Sequence, residues 1–216
     1  MPSSASTEEN LANMALTMLG QQPISSLTES NNRAVMADAR YADIRDSVLR
    51  AHPWNCAIKR DSLVKSATSP DWGFTNTFTL PSDFIRLVDI EDPTQKYSIE
   101  AGNQAGDDSL VLVTDATSMN IRYIYKLTNV GKMDDTLKHA IAVRLAADLA
   151  LALTGDTGKE QFLIQKYQSV LAQAQWEDSV QHNSTETIHG GLWLEARYDN
   201  AVYRDYPDLN TDGSLA

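Results

Sequence analysis

Cysteine is almost missing. Cys56 is the only one in 216 residues, which excludes an internal disulfide and any thiolate-rich zinc site. Its expected place is a small buried apolar position. Long apolar runs are missing too: no stretch approaches the roughly 20 residues that cross a bilayer, so no membrane anchor is expected. The first six residues, Met1-Pro2-Ser3-Ser4-Ala5-Ser6, lack the basic start and apolar middle of a signal peptide. Synthesis and folding in a cytoplasm is the expectation. Bases are scarce, with 18 Lys and Arg against 29 Asp and Glu, a net charge of −11. Proteins that grip nucleic-acid phosphates show the opposite balance. The last forty residues hold eight acids and two bases, Arg197 and Arg204, and so carry more than half of the net charge.

The signatures of catalysis are missing as well. There is no glycine-rich phosphate loop ending in lysine and no G-x-S-x-G nucleophile elbow. None of the four histidines (His52, His139, His182, His189) stands in an H-E-x-x-H pattern. His52 and Cys56 are four residues apart, but Pro53 interrupts the helix between them, so a Cys/His nucleophile pair is disfavoured. The adjacent pairs Asp107-Asp108 and Asp134-Asp135 raise the two-carboxylate chemistry of glycoside hydrolysis. Both lie in turn contexts, where Asp is favoured because its side chain bonds nearby backbone. Trp72, Phe74, Phe78 and Tyr123 are expected in a core or interface rather than in a sugar platform. No catalytic, cofactor-binding or metal-ligating residue is assigned, and no cofactor is expected.

What is present is periodicity. Leu11, Met14, Ala15, Met18 and Leu19 follow helical spacing after a Ser6/Glu9 capping-box pattern, and Gly20 supplies a stop. This predicts a helix over about 7–20, followed by a loop at 21–29. Ala34, Ala37, Tyr41, Ile44, Val48 and Ala51 step by three and four, with Asp38, Arg40, Asp43, Arg45 and Asp46 off that stripe, which predicts a second helix over about 31–52. Pro53 ends it and can open a further turn carrying Trp54 to Arg60. Trp54 is expected to bury against the second helix or a neighbour.

The period then changes to two. Phe74, Asn76, Phe78 and Leu80 alternate with threonines. Residues 84–90, 97–100, 110–114 and 120–125 are further strands, punctuated by Pro81-Ser82-Asp83, Asp92-Pro93, Gly102-Asn103 and Gly106-Asp107-Asp108. A small antiparallel sheet over about 74–126 is the reading. Helices return over about 135–153, capped by Asp134 or Asp135, and over 159–179, where Thr157 and Glu160 form a second capping-box pattern. The alanine-rich third helix implies close helix approach. Its Arg144 and Asp148 lie one turn apart and can pair with each other or bond a neighbouring subunit. The stripe of the fourth helix is Leu163, Tyr167, Val170 and Ala174. Beyond about residue 180 the pattern stops. Trp193, Tyr198, Tyr203 and Tyr206 stand among acids and glycines that cannot build a core of their own. Aromatics in such an arm suit docking onto another surface, with Arg197 and Arg204 as its charge contacts. The fold class expected is therefore α+β: an antiparallel bundle of about four helices with an inserted small antiparallel sheet over residues 1–180, and an extended C-terminal arm over 181–216.

Four segments, taken in order, resemble the tail tubular protein A family, the head-to-tail adaptors of short-tailed, podovirus-type phages. They are Asn13-Met14-Ala15-Leu16-Thr17-Met18-Leu19-Gly20 with Pro23-Ile24-Ser25-Ser26-Leu27; Tyr41 to Ala57, ending Ala51-His52-Pro53-Trp54-Asn55-Cys56-Ala57; Leu80-Pro81-Ser82-Asp83-Phe84-Ile85-Arg86-Leu87; and the helix from Ala140 to Leu153. The likeness spans roughly residues 8–180, and the last thirty residues share it less clearly. It implies a structural protein of the virion, at the head-tail junction. There it would form a dodecamer between the portal protein and a tail nozzle protein of tail tubular protein B type, with a tail fibre or tailspike as a further neighbour. DNA would pass through the channel without specific binding. Residues 1–180 would be the adaptor domain, and Arg144, Asp148, Trp193, Arg197, Tyr198, Tyr203, Arg204 and Tyr206 the subunit or portal interface. Twelve copies at −11 make roughly −132, a lumen that repels phosphates rather than holding them. Two other classes compete: a virion-associated polysaccharide or peptidoglycan hydrolase, and a chaperone or other monomeric binder.

Overall fold

The structure, a computed structural model, describes residues 7–102 and 109–180. Four α-helices frame it: α1 Glu8–Met18, α2 Asn32–Ala51, α3 Asp135–Thr154 and α4 Thr157–Val180. Between α2 and α3 run seven strands: β1 Ile58–Ser62, β2 Val64–Lys65, β3 Asn76–Thr79, β4 Phe84–Ile90, β5 Tyr97–Ala101, β6 Leu110–Thr114 and β7 Asn120–Tyr125. The class is α+β, as the switch of period predicts. The β region differs from expectation in two respects. It begins at Ile58 rather than near residue 74, and it is two antiparallel sheets, ordered β1-β7-β4 and β2-β3-β6-β5. The helical turn after Pro53 stops at Ala57, and Ile58, Lys59 and Arg60 pair in register with Ile124, Tyr123 and Arg122. β1 escaped the periodicity because it is an edge strand whose residues after Ile58 are all exposed and polar.

The layers are set by β7. Successive side chains of a strand point to opposite faces. Ile121 and Tyr123 accordingly join Leu63, Phe78, Leu80, Leu112 and Met119 in a core between the sheets. Ile124 points the other way, into the main core formed by the helices. The middle sheet thus lies between the helices and the outer sheet. β4 serves both cores with a different rhythm: Ile85 and Val88 pack on the helical core, Phe84, Leu87 and Ile90 on the other. Register shifts between Phe84 and Arg86 and between Leu87 and Asp89 insert an extra residue each time, which turns a period of two into steps of three.

In the helical layer α3 is central and packs on α1, α2 and α4. Its alanines 140, 142, 146, 147 and 150 are fully or almost fully buried, as close approach requires. The caps differ in detail from the sequence patterns. α1 is capped by Thr7, whose hydroxyl accepts the Asn10 N–H at 3.4 Å, instead of by Ser6. At α4 the cap is Asp156, whose Oδ1 accepts from the N–H groups of Gly158 and Lys159 at 2.9 and 3.1 Å, instead of Thr157. Asn31 caps α2, and of the two aspartates offered for α3 Asp134 is the cap. Gly20 and Gly155 follow α1 and α3 at φ of +73° and +66°, the left-handed geometry that glycine adopts without strain. Arg45, expected off the apolar stripe of α2, is buried. Its guanidinium bonds Asp46 Oδ1 at 2.8 Å there, with Glu8 at 3.7 Å.

Candidate interaction surfaces

The third helix places its two singled-out residues toward different neighbours. Asp148 accepts from Arg40 of α2, at 2.6 Å from Nε and 3.2 Å from Nη2. Arg144 lies over the ring of Tyr167 in α4, 5.6 Å from its centroid. They therefore do not pair with each other. One ties α3 to α2, the other ties α3 to α4. Trp193, Arg197, Tyr198, Tyr203, Arg204 and Tyr206 lie outside the described residues, as do Asp107 and Asp108.

A buried polar cluster that the sequence reading missed closes the far end of α4. Asp178 is 3% exposed. Its carboxylate accepts the Asn55 N–H at 3.0 Å and meets His52 Nε2 at 3.1 Å, while the Asn55 side chain donates to the Asp178 carbonyl at 2.8 Å. The signal was available: Asp178 continues the stripe Tyr167, Val170, Ala174 by one more step of four, so an acid occupies an inward position. His52 packs edge-on to Trp54, which is fully buried with its indole N–H donating to the Val48 carbonyl at 3.0 Å. Burial pushes the neighbouring Cys56 thiol up, away from the thiolate a nucleophile needs.

Other carboxylates of the described residues are also occupied in the frame. Asp83 bonds Lys59 Nζ at 2.5 Å and accepts from the Tyr123 hydroxyl at 3.0 Å. Asp89 pairs with Arg122. Asp134 caps α3. Among the described residues no cluster of His, Cys, Asp and Glu has the geometry to hold a metal ion. No helix among them is long and apolar enough to cross a membrane.

Among the described residues, aromatic side chains are more than half exposed in two places. The first is the loop before β3. Gly73, at φ +88°, turns the chain and leaves Trp72 88% exposed beside a shallow groove of about 360 Å³ lined by Pro70, Phe74, Ser98 and Val113. Asp115 anchors the end of this loop by accepting from the N–H and hydroxyl of Thr75 at 3.0 and 3.1 Å. Of the aromatics expected in core or interface, Phe78 and Tyr123 are core and Trp72 is surface. The second place is the outer side of α4, where Phe162 and Trp176 are 63% and 67% exposed and Val180 is exposed with them. Their separations of 14 and 18 residues are close to whole numbers of turns at 3.6 residues each, so the three share one side of the helix. The inner side of the same helix carries Leu163, Tyr167, Val170 and Ala174, as the stripe predicts. No protein-family model matches the chain, and no functionally characterised protein matches it in sequence.

Proposed function

We propose that the chain is a structural head-to-tail adaptor of a phage virion. Twelve copies would form a ring that joins the portal to the tail nozzle and lines the channel for DNA. The observation that carries this reading is the exposure of large apolar side chains, Trp72 on one face and Phe162 with Trp176 on another, on a frame held by capped helices and buried polar contacts. Aromatic side chains presented on rigid elements suit protein contacts, where they bury large area at little cost in side-chain freedom. The acidic balance, −11 per chain, suits a wall along which DNA slides instead of binding.

The test is assembly. Purified protein, alone and mixed with the portal of its phage, is examined by light scattering and electron microscopy. A closed twelvefold ring in either preparation supports the adaptor. A monomer in both, with no attachment to portal, removes it. The hydrolase alternative has its own readout: turnover of envelope polysaccharide above a denatured control that disappears in Asp107→Asn or Asp108→Asn would replace the adaptor reading.

A further inference from the structure

An open sheet leaves backbone groups unpaired along its edges unless something blocks them. Among the described residues the edge strands are β1 and β4 in one sheet, β2 and β5 in the other. Three of them are blocked. β1 carries Lys59, Arg60 and Asp61 in succession, β4 is broken by two register shifts, and β2 is two residues long. β5 has none of these devices. Tyr97 to Ala101 pair with Thr114 to Leu110 without a shift, and Glu100 is their one charge. The Gly102 N–H donates to the Ser109 carbonyl, and the Leu80 N–H to the Leu110 carbonyl. Bonded and unbonded pairs alternate along an antiparallel ladder. Ser98 and Glu100 therefore bond β6, and the N–H and C=O groups of Tyr97, Ile99 and Ala101 point off the free edge.

The two faces beside this edge differ. Ile99 packs on the core between the sheets, and exposed Tyr97 lies on the same side of the strand. Ser98 and Glu100 point the other way, where they line the groove of about 360 Å³ together with Asp71, Trp72 and Phe74. Two carboxylates and an exposed indole border that groove, and no base does. Lys96, the nearest base in the chain, precedes β5 and is not part of the lining.

We propose that β5 is a docking edge for an extended segment of another protein, added as a fifth strand to the outer sheet. That segment carries lysine or arginine on the groove side and apolar residues on the other. Backbone pairing supplies the contact, and the side chains beside the edge select the sequence. A basic side chain in the groove meets the Glu100 carboxylate and the ring of Trp72. An acidic one would set like charges together. A second copy pairing through its own β5 offers no base there and brings a further −11. This contact is separate from any that the adaptor reading requires.

The experiment titrates the isotope-labelled full-length chain with the peptide acetyl-Lys-Val-Lys-Val-Lys-Val-amide, followed by NMR and hydrogen exchange. A peptide with Glu for Lys and one methylated on its backbone nitrogens serve as controls. Saturable binding should shift the amide signals of Tyr97, Ile99 and Ala101 and slow their exchange. Methylation should abolish it, because the peptide loses its ladder donors. Trp72→Ala should weaken binding about 2–5-fold, and Glu100→Gln up to about 5-fold. Ala101→Pro removes an N–H that points off the edge and spares the ladder to β6, so it should block the peptide at an unchanged melting temperature. Where that variant unfolds the sheet, the methylated peptide decides on the native chain. Binding that survives methylation, or that shifts other amides instead, would be a general attraction of bases to an acidic chain and would overturn the docking edge. Equal binding of the Glu peptide, or unchanged binding in both Trp72→Ala and Glu100→Gln, would overturn the basic occupant. No binding at millimolar peptide would remove the proposal. Protection of the β5 amides that grows with protein concentration, without peptide, would give the edge to a second copy and overturn it.

Discussion

The carboxylate of Asp178 lies 3.1 Å from Nε2 of His52, although the two residues are 126 positions apart in the chain. With the Asn55 N–H on the same carboxylate, this contact binds the last turn of α4 to the chain leaving α2. Asp178→Ala would leave the Asn55 amide without its acceptor in a nearly closed space. The expected loss is about 1–3 kcal/mol in urea unfolding. Asp178→Asn keeps one acceptor oxygen and should lose less. Equal losses in the two variants would mean that neither the side-chain volume nor one retained acceptor oxygen is enough, and that the contact depends on the whole carboxylate.

Trp54 fills the main core and donates to the Val48 carbonyl. Trp54→Ala should cost about 3–5 kcal/mol, from lost transfer energy and the cavity left behind. Trp54→Phe retains most of the apolar contact and should fall well short of that figure. A stable, fully folded Trp54→Ala protein would show that the surrounding side chains collapse into the space.

The Arg40–Asp148 pair is half in solvent, with Arg40 51% exposed. Arg40→Ala should therefore change stability by no more than about 1 kcal/mol. If Asp148→Ala left stability untouched yet abolished ring formation, Asp148 would be bonding a neighbouring subunit in the assembly.

Gly155 ends α3 at φ +66°, its N–H bonded to the Leu151 carbonyl at 2.9 Å. A Cβ there would meet nothing within 4 Å, so Gly155→Ala isolates the backbone penalty. The expected cost is about 1–2 kcal/mol. A neutral result would mean that the turn between α3 and α4 readjusts.

Burial, and secondarily the charge of Lys166, hold the His139 imidazole below its ordinary value of 6.5. The unfolded chain therefore takes up this proton at a higher pH than the folded one. The stability linked to His139 is complete above about pH 6.5 and is lost as the pH falls from there through the lower folded value. His139→Gln should flatten that part of the melting-temperature profile between about pH 5 and 7. An unchanged slope would assign the acid sensitivity to other groups.

Local pattern by itself determined that α1 to α4 exist, which side of α4 faces inward, and that a β region interrupts the helices. Helical spacing, strand alternation and Asx capping are short-range properties, legible over a few residues. Composition determined the strong negative charge and the rarity of bases. Only the tertiary structure decided that the β region is two sheets and that Ile58–Ser62 belongs to it, because an exposed edge strand has no buried face to impose alternation. It also decided the steps of three in β4, which come from bulges defined by pairing with β7. Partner choice was likewise not local: Asp148 takes Arg40 rather than Arg144, and Asp178 meets His52 and Asn55. Phe162 and Trp176 on the outer side of α4 were written in the residues, but they became a surface only once α3 had taken the opposite side of that helix.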